Sequence, residues 1–489
     1  MSSSDSRRRP HYQVTFVVLT VGVFSYSLLQ SLVTPVLTTV QHELHTSQAN
    51  ATWVLTAYLL SASIFTPIMG RIGDMIGKER VFVATLVALA AGSLLAAVAS
   101  SIGVMIIARV IQGIGGGVLP LSFGIIRDEF PAAKITGAVG GIASLSAVGS
   151  GLGVVLAGPI VNALGFHWLF WLPMIITLIA AIAAVLFVPE SPVRTKGRIS
   201  WLPAFLLSGW LVALLVALSQ APEWGWGSSK VVGLLVAAVV LAFAWIVSEQ
   251  RAATPVIDMA MMRRKAVWTN NLVALLIGIG MYAVFAFLPE LVQTPSAAGY
   301  GFGADITESG LMILPMAVTM FLIGSITGRL ADRLGGKALV ILGCAISVVA
   351  VVIFAFGHDE KWQIYLASAI LGVGFGLAFS AMSGLIVAAV PPEQTGVASG
   401  MNANIRTIGG SIGAALMASI VTSHLEPSGL PKEAGYTTGF AILAGVLLFA
   451  ALAAILIPSR PHHQLPGDEL EHGELGVLAG GTLVGDQSE

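Results

Sequence analysis

The sequence predicts an all-α integral membrane protein of fourteen transmembrane helices. They form two pseudo-symmetric six-helix bundles with two inserted helices between them. Three observations carry this expectation. Of 489 residues, 56% are hydrophobic and 10% charged, with a mean hydropathy of +0.88; an average soluble domain carries about 25% charged residues. So much apolar surface requires lipid as its solvent. The apolar residues also cluster into runs long enough to cross a bilayer, and one short polar motif occurs twice, once in each half of the chain.

A spanning helix needs about 20 apolar residues at 1.5 Å each. Fourteen runs qualify: 14–36, 51–69, 81–100, 103–125, 136–161, 166–188, 201–219, 231–248, 267–290, 309–328, 338–357, 363–389, 397–422 and 437–457. Backbone groups in lipid must bond internally, so these are helices rather than open strands. The first run follows Arg7, Arg8 and Arg9. It exceeds a signal-peptide core of about 7–15 residues and ends without a cleavage pattern, so it reads as a helix.

Lysine and arginine placement sets the orientation. With the N-terminus in the cytoplasm, Arg71, Lys78 and Arg80, Arg127 and Lys134, Arg194, Lys196 and Arg198, Arg263, Arg264 and Lys265, and Arg329 and Arg333 all fall on the inner side. Only Lys230, Lys361 and Lys432 fall outside, and Arg109 and Arg406 lie within helices. Both termini are then cytoplasmic in a multi-pass plasma-membrane protein. The expected organisation is a tail over 1–13, a bundle over 14–190, two extra helices and linkers over 191–266, a second bundle over 267–457, and a disordered acidic tail over 458–489. Trp224 and Trp226 read as interfacial anchors.

Composition excludes several functions. A net charge of −1 suggests no nucleic-acid partner, and the single Cys344 rules out an internal disulfide or a thiolate metal site. His462-His463 reads as part of a solvated tail. Gly77-Lys78 and Gly336-Lys337 lack the other residues of a nucleotide-binding loop. Neither a catalytic constellation nor a cofactor or metal is expected, so the chain does not read as an enzyme. The expected partners are lipid bilayer and a small molecule, with the chain itself a monomer.

The repeated motif is Gly70-Arg71-Ile72-Gly73-Asp74-Met75-Ile76-Gly77-Lys78 after the second run and Gly328-Arg329-Leu330-Ala331-Asp332-Arg333-Leu334-Gly335-Gly336-Lys337 after the tenth. Its glycines permit close approach and unusual dihedrals. Asp74 can pair with Arg71 or Arg80, or bond N–H groups at a helix start. Gly70, Arg71, Asp74, Gly77 and Arg80, with Asp332 and Arg333, therefore make a candidate conformational latch. In the fourth run, Arg109 precedes Gln112 by one turn. An arginine at the centre of a membrane helix costs at least about 2.5–3.5 kcal/mol, so the pair should face a polar interior. In the fifth run, Gly149, Gly153 and Ala157 form a close-packing ridge. In the thirteenth, Asn402, Arg406, Gly409 and Gly413 share a face that reads as a polar wall.

Together these residues resemble the major facilitator superfamily, and within it the fourteen-helix drug:proton antiporter branch. The twice-used loop motif, Arg109-x-x-Gln112-Gly113-x-Gly115, Leu288-Pro289-Glu290-Leu291-Val292-Gln293 and Pro392-Glu393-Gln394-Thr395-Gly396 all fit. The antiporter motif of the fifth helix is matched in part: Gly149, Gly153 and Gly158 fit, while Val154 replaces its proline and Gly158-Pro159 follows instead. The resemblance covers roughly residues 14 to 457. It implies export of amphipathic drugs, antibiotics or secondary metabolites by alternating access, in exchange for protons.

One departure bears on coupling. Aligned on Pro35, Tyr26 stands where the branch usually has an aspartate, so Tyr26 and Gln30 can bond a ligand without carrying a proton. Arg109, Gln112, Glu290 and Arg406 are the candidates for the coupling network, with Glu290 as proton carrier. Tyr26, Gln30 and Asn402 are the candidates for the substrate cavity. An uncoupled facilitator, an importer and a non-transporting membrane sensor of the same fold stay open as alternatives.

Overall fold

In a computed structural model of the chain, fourteen helices are long and apolar enough to cross a membrane. The structure describes residues 12–46, 48–190, 200–252, 255–423 and 431–458. Arg7 to Arg9, Arg194, Lys196, Arg198, His462-His463 and the acidic tail lie outside the described residues.

The helices are α1 (Tyr12–Leu32), α2 (Trp53–Ile76), α3 (Lys78–Ala97), α4 (Ile102–Glu129), α5 (Lys134–Leu164), α6 (Trp168–Phe187), α7 (Trp201–Trp224), α8 (Ser229–Arg251), α9 (Lys265–Gln293), α10 (Ile306–Leu334), α11 (Gly336–Phe356), α12 (Lys361–Ala389), α13 (Pro392–Thr422) and α14 (Glu433–Ala454). The face that carries Arg71 to Arg80, Arg127 and Arg329 is called the basic face below.

Several helices outrun their apolar stretches. α2 and α10 continue through the repeated motif, so Gly70, Arg71, Gly73 and Asp74 are helical, as are Gly328 to Arg333. The apolar runs alone leave them in loops. Hydropathy marks the part of a helix that lies in lipid, whereas the i→i−4 bonds run on until a residue breaks them. The break comes at Gly77 (φ 123°) and Gly335 (φ 81°), in the positive-φ region that glycine tolerates. α4 is α-helical at both ends but tightens to a 3-10 segment over Ile114–Gly117, where its glycines press on Ala62, Thr66 and Met69 of α2.

The inserted α7 and α8 pack on one another, and α7 also packs on α2 and α13. α8 is lipid-facing, with Val236, Val239, Val240 and Phe243 exposed. Polar contacts tie the pair to the rest. Thr56 and Ser219 hydroxyls lie 3.0 Å apart, and Trp226 Nε1 donates to Ser419 Oγ at 2.7 Å. In the last turn of α8, the buried Glu249 carboxylate accepts from Trp245 Nε1 (3.1 Å), Val256 N (2.9 Å) and Ile257 N (3.3 Å). It satisfies backbone donors at the turn towards α9.

Small residues set the remaining helix contacts, as expected where lipid supplies no hydrophobic drive between helices. Gly149 and Gly153 of α5 lie against Ser27, Leu28 and Ser31 of α1. Gly158 of α5 lies against Ile306 and Thr307 of α10, with the half-buried Pro159 beside it. Gly409 and Gly413 of α13 meet the α9 backbone at Leu275 and Ile279.

Candidate functional site: a central cavity and a closed basic face

Two arginines, one from each half of the sequence, are buried within membrane-spanning helices. Arg109 on α4 is 0% exposed. Its Nε donates to Val54 O (3.0 Å) and its Nη1 to Gln112 Oε1 (2.8 Å). Gln112 Nε2 donates in turn to Ser93 Oγ (3.2 Å). The guanidinium lies over the Tyr58 ring, 4.3 Å from its centroid. Arg406 on α13 is 8% exposed and lies over the Phe379 ring, also at 4.3 Å. A cation over an aromatic face is attracted by the ring quadrupole. Each arginine thus has an aromatic partner in place of a carboxylate.

Between them lies a cavity of about 220 Å³. Its walls are Gln30 and Ser31, Leu55, Tyr58 and Leu59 of α2, Ser150 and Val154 of α5, Met281, Tyr282, Phe285 and Ala286 of α9, and Thr407, Gly410, Ser411 and Ala414 of α13. Towards the basic face it narrows to a pocket lined by Tyr26, Ser63, Thr66, Gly116, Phe379, Asn404 and Arg406, among others. None of these lining residues is Asp or Glu.

Below the pocket, the basic face is closed. Gly70 sits against Gly396, and Gly400 against Thr66 and Pro67, bringing α2 and α13 into backbone contact. Asp74, 1% exposed, accepts from Val397 N with Oδ2 at 3.3 Å. Val397 lies in the first turn of its helix, where N–H groups lack intrahelical partners and the dipole favours a carboxylate. Lys78 Nζ lies 3.7 Å from Asp74 Oδ1 and 2.7 Å from Asp128 Oδ2, with all three side chains buried. Arg127 donates to Val387 O and, at 2.9 Å, to Thr395 Oγ1. Arg80, exposed, pairs instead with Glu190 at 2.8 Å.

The structure distributes the expected site residues unevenly. Tyr26, Gln30 and Arg406 line the cavity. Arg109 and Gln112 stand behind Tyr58, bonded to each other. Asn402 does not reach the cavity: its Nδ2 donates to Asn271 Oδ1 at 2.9 Å, between α13 and α9. The shared face of Asn402, Gly409 and Gly413 is therefore a helix–helix contact. Asn404 lines the pocket in its place. Glu290 is exposed near the far end of α9, accepts from Tyr436 OH at 3.0 Å and lines no part of the cavity. Asp332 and Arg333 are exposed. Sequence reasoning missed Tyr58, Tyr282, Phe379 and the Lys78–Asp128 pair. A tyrosine inside an apolar span was the available signal for the first two.

The sequence profile of the Major Facilitator Superfamily matches residues 19–414 and 272–487. The chain belongs to that superfamily. It is a multi-pass membrane transporter by family and by its fourteen spans. Among similar proteins are a multidrug resistance protein B homolog of Mycobacterium tuberculosis (29% identical over 406 residues, 80% of this chain and 73% of that protein) and the multidrug transporter protein MdtP of Bacillus subtilis (28%, 76% of this chain and 69% of that one). The tetracenomycin C resistance and export protein of Streptomyces glaucescens is 24% identical, over 84% of this chain and 76% of that protein. A crystal structure of the human organic anion transporter MFSD10 superposes with a TM-score of 0.67 at 16% identity, covering 91% of this chain and 100% of that one. At that identity the likeness concerns the fold.

Proposed function

We propose that this chain exports amphipathic small molecules across the plasma membrane by alternating access, in exchange for protons, with both termini in the cytoplasm. Residues 14–190 and 267–457 form the two moving bundles, and 191–266 the insertion. The observation that carries the reading is a largely apolar cavity with sparse hydroxyl, amide and aromatic groups, closed at the basic face by contacts between α2 and α13. Such walls suit an amphipathic ligand. The drug-transporter names of its relatives point the same way. In this reading Asp74, Lys78, Asp128 and Arg127 form a latch that holds the inner gate shut and releases it when the bundles rock.

A second reading, an uncoupled facilitator, is favoured by the lack of any carboxylate among the cavity-lining residues. Flux of a compound panel into inside-out proteoliposomes, with and without a pH gradient, separates the two. The first reading expects accumulation that collapses with the gradient, and gradient-independent equilibration contradicts it. Glu290→Gln tests the candidate carrier: counterflow should persist while pH-driven accumulation disappears. Unchanged accumulation removes Glu290 from the scheme.

A further inference from the structure

The geometry points to small organic anions, amphipathic carboxylates or sulfonates, as the ligands of the central cavity, with the Arg406 guanidinium as their anchor. This substrate class rests on the transport reading above and narrows it.

The argument starts from an unbalanced charge. Arg406 lies eleven residues beyond Thr395, where the α-helical part of α13 begins, or about 16 Å along the helix at 1.5 Å per residue. That is close to the middle of a hydrocarbon core about 30 Å thick. Ionisable groups at that depth are rare and usually meet a partner. Among the described residues, the ion pairs gather elsewhere, at Lys78 with Asp74 and Asp128 and at exposed sites, and none includes Arg406. The polar groups that face its charge are the phenols of Tyr26 and Tyr282. Phe379 covers one face of the guanidinium, and Tyr282 shares a hydrogen bond with its N–H edge. Nε is buried and has no acceptor.

Arginine's donors form a planar fork that matches two oxygens of a carboxylate or sulfonate. An anion there would supply both the acceptor missing at Nε and the missing charge through charge-assisted hydrogen bonds. The rest of the pocket fits such a head group. Asn404 lines it with both side-chain amide atoms buried and unpartnered. Tyr26 and Tyr282 add hydroxyls. Beyond them Leu55, Val154, Met281, Phe285 and Ala286 offer an apolar wall for the ligand's body. Arg109, behind Tyr58, adds a second positive charge at low dielectric. A cationic ligand would meet the Arg406 guanidinium and no carboxylate among the lining residues, which disfavours it by repulsion as well as by lack of a partner.

The test uses the full chain in lipid nanodiscs, with empty nanodiscs as the blank, and three probes of one shape: 2-naphthoate, naphthalene-2-sulfonate and 2-naphthyl-trimethylammonium. Calorimetry should show both anions binding at least tenfold more tightly than the ammonium compound. Arg406→Gln should weaken the anions at least tenfold, and Arg406→Lys, which keeps the charge but not the fork, by less. The comparison of probes on the wild-type chain holds even if Arg406→Gln fails to fold. An ammonium probe that binds as well as the anions, no binding of either anion up to millimolar concentration, or full anion affinity in a folded Arg406→Gln chain each overturns the assignment. Flux separates it from the transport reading. Anions that bind without being moved leave the anchor standing and sink export; an ammonium compound moved in preference to naphthoate does the reverse.

Discussion

At the end of α2, Asp74 is 1% exposed, faces the first turn of α13 and shares Lys78 with Asp128. At the end of α10, the matching Asp332 and its neighbour Arg333 are exposed and Lys337 makes no ion pair with either. Yet the two ends share a scaffold. Each helix turns at a positive-φ glycine, Gly77 or Gly335, and each meets the other half of the chain through a pair of glycines, Gly70 on Gly396 and Gly328 on Gly137. The difference comes from the neighbours. Aligning the ends of α4 and α12 on Pro131 and Pro391 sets Ala388 where Asp128 stands and Val387 where Arg127 stands. The second copy has no carboxylate to draw its lysine inward and no arginine to cross the interface. The two copies of the motif thus share a turn, while among the described residues only the first carries a buried charge cluster.

The largest expected effect comes from removing the cation shared by the first copy. Lys78→Met removes the cation that the buried Asp74 and Asp128 share, and breaking a buried pair costs about 3–5 kcal/mol. Thermal unfolding in detergent should show a strong loss of stability, and Asp128→Asn in the same chain should restore part of it. A melting temperature equal to wild type would mean the cluster is not held as described.

Asp74→Asn keeps the shape and removes the charge. Turnover in proteoliposomes should fall at least tenfold while equilibrium binding in the cavity stays within about twofold, since the cluster lies at the rim. Equal losses in binding and turnover would break the distinction between gate and cavity.

The shared turn should respond alike in both halves. Gly77→Ala and Gly335→Ala each force a Cβ into a positive-φ, large-ψ position, at about 1–3 kcal/mol. Similar shifts in unfolding temperature are expected for the two. A shift confined to Gly77 would show that the halves differ in backbone strain as well as in charge.

Asp332→Asn should do least, with stability within about 0.5 kcal/mol of wild type, as for most surface substitutions, and turnover near wild type. A loss comparable to that of Asp74→Asn would restore the equivalence of the copies that their sequences suggest.

Much of this was legible in the sequence because lipid imposes it. Fourteen apolar runs gave fourteen helices, and the Arg109–Gln112 spacing of one turn gave a bonded pair. Helix ends were less legible, since hydropathy stops at the lipid boundary while α2 and α10 carry on to Gly77 and Gly335. The cavity was half legible. Tyr26 and Gln30 sit one turn apart on α1 and reach it, whereas Asn402 and Asn404 differ by two residues and so face different ways. Helical periodicity gives the faces of one helix, but which face meets the cavity depends on where α9 packs. The Lys78–Asp128 pair spans two helices fifty residues apart, a separation that local spacing does not register.

The central claim is that the charged cluster of the first copy, and not that of the second, holds the basic face closed. Electron paramagnetic resonance distances test it directly, with spin labels at the exposed Ile76 and Glu393 in a Cys344→Ala background. The wild-type chain and Asp332→Asn should share a dominant short distance between the ends of α2 and α13, and Asp74→Asn should shift population to a longer one. An Asp74→Asn distribution that coincides with wild type, or an Asp332→Asn chain that opens as readily, would contradict the account.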